Sequence, residues 1–73
     1  MDINALVPND KKIAVLQGQI DAFALDYWQN SLNLDAAVAS GDTEAQTQAQ
    51  ANMDSLSASI ADLQARLAQI PTN

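Results

Sequence analysis

The sequence predicts an all-α protein: an antiparallel two-helix hairpin of coiled-coil-like character that self-associates into a four-helix bundle. Three observations carry this expectation. Two long segments place apolar residues at alternating spacings of three and four, one glycine-centred break separates them, and a further set of large apolar residues exceeds what one partner helix covers.

The elements follow in order. Residues 1–9 form an arm in which Ile3, Leu6 and Val7 are too few to fold alone, and an ordered arm or short helical turn is expected, lying over the open end of the hairpin or covering a neighbouring copy. Pro8 with Asn9 or Asp10 opens a first helix over residues 10–39, whose seam is Ile13, Leu16, Ile20, Phe23, Tyr27 and Leu34. Asn30 interrupts that seam. A polar amide there demands a partner and can fix the register or the oligomeric state at some cost in stability. The turn, 40–42, holds Gly41, which closes a helix by taking the left-handed conformation. Asp42 or Thr43 then caps the second helix, and Thr43 as the cap makes a capping box with Gln46. That helix, 43–70, carries a cleaner seam of Ala49, Met53, Leu56, Ile60, Leu63, Leu67 and Ile70, and Pro71 opens the tail, 71–73.

So short a connection forces the two helices to return antiparallel. At about 100° per residue, with Ile13 at zero, the first seam spans about −80° to 0°, whereas Trp28, Leu32 and Leu25 fall near 60°, 100° and 120°. The middle of the first helix therefore presents large apolar groups over roughly 200° of its circumference, and a second contact is implied. Leu25, Trp28 and Leu32 are the candidate interface. Ala58, Ala61, Ala65 and Ala68 recur at helical spacing on the second helix, away from its leucine seam. They are either favourable helix formers facing solvent or a small-residue face that lets another backbone approach.

Composition excludes much chemistry. The 73 residues contain no cysteine and no histidine, so the usual nucleophile and base arrangements and soft-metal sites are not available within one chain. Asp21, Asp26, Asp35, Asp54 and Asp62 read as a solvated negative surface, and Ser55, Ser57 and Ser59 lack a base. No catalytic residue, cofactor or metal is assigned. A net charge of −6, with Lys11, Lys12 and Arg66 as the basic residues, opposes a nucleic-acid backbone. Apolar runs are too short to span a membrane, and no secretory signal is evident, which makes the cytoplasm the default expectation.

The sequence therefore points to a non-enzymatic interaction or assembly protein whose hairpins form a homo-oligomer, most simply a dimer. An alternative is a small acidic inhibitor or adaptor that engages a different protein through the Trp28 face. A further alternative is an oligomer with a small-ligand cleft, with Gln17, Gln19 and Asn33 among the available lining residues. The glutamine, serine and alanine content with few ion pairs resembles small accessory proteins made by phages, which implies an inhibitor or assembly component.

Overall fold

Proline at position 8 has a φ of −61° and a ψ of 149°, which turns the chain into a helix beginning at the next residue. Its carbonyl accepts the free amide hydrogens of Lys11 and Lys12 at 3.1 and 3.2 Å. From there the computed structural model, which describes residues 3–71, runs through two helices, α1 at Asn9–Ser40 and α2 at Thr43–Ala68. A 3-10 turn at Ile3–Leu6 precedes them. Met1, Asp2, Thr72 and Asn73, which belong to the expected arm and tail, lie outside the described residues, as do the side chains of Ile3 and Asn4.

The reversal is built by hydrogen bonds that the local sequence specifies. Gly41 adopts φ 70° and donates to the carbonyl of Val38 at 3.2 Å, while Asp42 donates to the carbonyl of Ala37 at 3.0 Å. This is the paired closure of a Schellman motif, and only glycine takes its left-handed position without strain. Asp42 then caps α2, its carboxylate accepting from the Ala45 amide at 3.0 Å. The capping box from Thr43 to Gln46 does not form. Because the cap lies one residue earlier, Gln46 falls a position too late for the box, and its side chain instead donates to the carbonyl of Ala37 at 3.3 Å. That bond ties the start of α2 to the end of α1.

At the other end, α2 stops at Ala68, two residues short of the expected 70, and Gln69 and Ile70 return their amides to Arg66 and Leu67 at 3.1 and 3.2 Å. Pro71 causes this early ending, since the residue before a proline is pushed out of helical geometry.

The seams face each other. Ile20 and Ala37 of α1 and Ala49, Met53 and Leu63 of α2 are buried, while Ile13, Leu16, Phe23, Leu34, Leu56, Ile60, Leu67 and Ile70 are half-buried beside them. Tyr27 departs from its expected place in the core. It stays 38% exposed, because a position at the edge of a single seam is covered from one side only.

The resulting rod measures 55 × 16 × 16 Å, with a radius of gyration of 16.7 Å. A compact chain of this length has a radius near 11 Å. The total accessible surface is 5321 Å², against about 4,400 Å² for a typical folded monomer of the same mass.

The two glycines are expected to respond oppositely to alanine. Gly41→Ala forces a side chain into the left-handed region and should cost about 1 kcal/mol. Gly18 lies inside α1, and a Cβ there meets nothing within 4 Å, so Gly18→Ala should add roughly 0.5 to 1 kcal/mol. Urea midpoints at one fixed protein concentration check both signs.

Candidate functional site

The candidate site grows from the middle of α1, where the sequence supplies more large apolar residues than one seam holds. Leu25, Trp28 and Leu32 are 56%, 58% and 48% exposed. Trp28 therefore does not pack inside the monomer against the arm or a bent α2. The three side chains make an apolar stripe at the centre of the rod, on a scale of a few hundred square ångströms that monomers seldom leave open without use.

The stripe borders one broad face of the hairpin. Ala24, one helical turn before Trp28, lines an open groove of about 300 Å³ with Tyr27 from α1 and Ser57, Ile60, Ala61 and Gln64 from α2. Ala61 thus stands on the same face as the tryptophan side of α1, and Ala58, Ala65 and Ala68 continue its exposed stripe at helical spacing. Large apolar groups on one helix and alanines on the other lie side by side, separated by a groove. The flanks are polar: Asp21 and Asp35 are exposed on α1 near the stripe, and the Gln17 amide donates to Asp21 at 3.2 Å.

The reverse face has different chemistry. Asn30 is half-buried, its amide nitrogen donating to the carbonyl of Asp26 at 2.9 Å and its oxygen accepting from the side chain of Asn52 at 3.1 Å. A hydrogen bond between the helices thus occupies the point where the apolar seam of α1 is broken. Sequence reasoning marked Asn30 but missed Asn52, which sits one residue before the seam residue Met53. An asparagine next to a seam in the second helix, at the matching distance from the turn, was the available signal.

A second groove opens at the free end of the hairpin on this side, about 580 Å³ in volume, where Lys12, Val15, Leu16, Arg66 and Ile70 are among the lining residues. Arg66 also pairs with Asp62 at 2.9 Å on the exposed surface of α2, an interaction of small energetic consequence in high dielectric.

Of the other sequence candidates, Gln17 and Gln19 are exposed on α1, and Asn33, also exposed, lines a groove on the reverse face with Asn30 and Asn52. Among the described residues no three acidic side chains stand close enough to hold a metal ion. No described helix is long and apolar enough to cross a membrane. Comparison with protein-family models, curated proteins and solved structures finds no match.

The Asn30–Asn52 pair is expected to show energetic coupling. In a double-mutant cycle with Asn30→Ala and Asn52→Ala, the coupling should be about 0.5 to 1 kcal/mol, the range for a partly solvated hydrogen bond. Replacing both with leucine should raise the unfolding midpoint while broadening the amide spectrum, because an apolar pair accepts neighbouring registers. Urea titrations and a two-dimensional NMR spectrum read these outcomes.

Proposed function

We propose that this chain is a non-enzymatic self-association module, in which two hairpins meet through the Trp28 face as a four-helix bundle. The carrying observation is the exposed stripe of Leu25, Trp28 and Leu32 beside the alanine face of α2. Two further facts support it. The rod exposes roughly 900 Å² more surface than a typical monomer of its mass, and a standard stable interface covers about 800 Å² on each partner. Its own core holds no large side chain that is fully buried among the described residues.

The energetic argument has the same direction. Completing the burial of a large apolar side chain contributes on the order of 1 kcal/mol or more, and a small domain with one thin core stands near the limit of independent stability. Covering the stripe therefore stabilises both the assembly and each hairpin within it. Alanines at 58, 61, 65 and 68 let a second hairpin approach α2 closely, while the large residues of α1 fill the wider side.

Leu25→Asp and Leu32→Asp test this reading with Trp28 kept as the reporter. Both leucines are about half exposed in the hairpin, so substitution costs the isolated chain little. Wild type is expected to show blue-shifted tryptophan emission that moves red on dilution, while both variants show the red emission at every concentration. Identical protected emission in wild type and variants would overturn the assignment of this face.

A further inference from the structure

The basic residues of the hairpin, Lys11, Lys12 and Arg66, all belong to the open end, where Asp10 and Asp62 offset them and Arg66 pairs with Asp62 at 2.9 Å. Lys12 and Arg66 line one groove there, on the reverse face. At the turn end Asp42 caps α2 and Glu44 follows in its first turn, with Asp35 a short distance before. About thirty helical residues separate Lys12 from Asp42, roughly 45 Å along the rod.

Axial levels follow from the packing. Asn30 bonds to Asn52, and Leu16 shares a groove with Arg66, so levels on the two antiparallel helices are tied at both places. By the same register Trp28 of α1 comes level with Asp54 of α2. The apolar stripe itself is balanced about a point between Trp28 and Gln29, with Leu25 and Leu32 equally far to either side.

We infer that the two copies pair antiparallel, α1 against α1, about a two-fold axis that crosses the helices beside Trp28. The inference rests on the self-association reading and adds the orientation of the second copy. About this axis Leu25 of one copy meets Leu32 of the other, and the two tryptophans lie together at the centre. Ser57 and Ala61 come opposite Gln50 and Thr47 of the second copy, so the α2 sides approach through small and polar groups. Arg66 and Leu16 come level with Gly41 and Asp42, so each open end lies at the level of its neighbour's turn, with the groove of Lys12 and Arg66 on the face turned away from the contact.

The parallel alternative has the two-fold axis along the rods. It lays α1 of each copy over α2 of the other, seats Trp28 on Asp54 and strips water from that carboxylate. It also brings the two acidic turns together, with Asp42 and Glu44 of both copies at one end, and like charges there select against such an arrangement. The antiparallel pair has two electrostatic costs: Asp21 comes level with Asp35, and Asp54, level with Trp28 at the axis, comes beside Asp54 of the second copy. All three residues are exposed on the hairpin, where solvent and salt screen the repulsion.

The chain contains no cysteine, so introduced thiols report orientation without background. Gln17→Cys, Ala39→Cys and Ala65→Cys are prepared separately, mixed in pairs to exchange subunits, and treated with a short bis-maleimide. A disulfide is unsuited because facing helix axes stand about 8 to 10 Å apart and it needs Cα atoms within about 7 Å. The expected result is efficient linkage of position 17 to position 39, with little linkage of 17 to 65 or of any variant to itself. A two-chain mass with 17-to-65 linkage dominant, or without 17-to-39 linkage, overturns the orientation while leaving self-association intact. A one-chain mass for unlinked wild type and all three variants overturns the self-association on which it rests.

Discussion

Two helices touch along one line, and the burial available along that line is the constraint on which the structure depends. A side chain pointing at the neighbouring helix is covered, one at the edge is half covered, and one beyond the edge is open to water. Ile20, Met53 and Leu63 are in the first group, Phe23 and Leu34 in the second, and Trp28 and Leu25 in the third. The sequence nevertheless places its single tryptophan in the last group. A thin core and an open tryptophan are two aspects of one arrangement: this fold has a surface to cover and limited means of covering it alone.

The ends and the middle of the hairpin carry the polar bonds that make the single line of packing specific. At the turn, Gly41, Asp42 and Gln46 satisfy the carbonyls of Ala37 and Val38 and the amide of Ala45, so the helices leave the reversal in a defined relation. Midway along, the bond from Asn52 to Asn30 ties their levels. A slip by one turn would break it and leave a half-buried amide without its cross-helix partner. Apolar seams alone tolerate such a slip, because leucine, isoleucine and methionine are nearly interchangeable as neighbours.

Much of this was visible in residue spacing. The alternating threes and fours of Ile13 to Leu34 and of Ala49 to Ile70 marked both helices, and Gly41 between them required a tight reversal. Details set by competition between neighbouring groups were less accessible. Asp42 and Thr43 are both good caps, and only the backbone path out of the Schellman motif selects the aspartate. Tyr27 fits the seam by spacing, yet its edge position leaves it partly exposed, a consequence of cross-section rather than of period. Ala37 is buried near the turn, but alanine is so common along both helices that its place carried no signal. The candidate site followed a different logic. The stripe of Leu25, Trp28 and Leu32 was legible because it breaks the one-seam pattern, whereas its position beside Ala61 required the pairing of the helices.

The central claim is that the chain covers its Trp28 face with another copy of itself. Absolute mass by light scattering after size exclusion, across a concentration series of the unmodified protein, tests it most directly. The account predicts a closed species of two chains, twice the 7.8 kDa of one, that gives way to single chains only on dilution. A helical species with the mass of one chain at every concentration would contradict it.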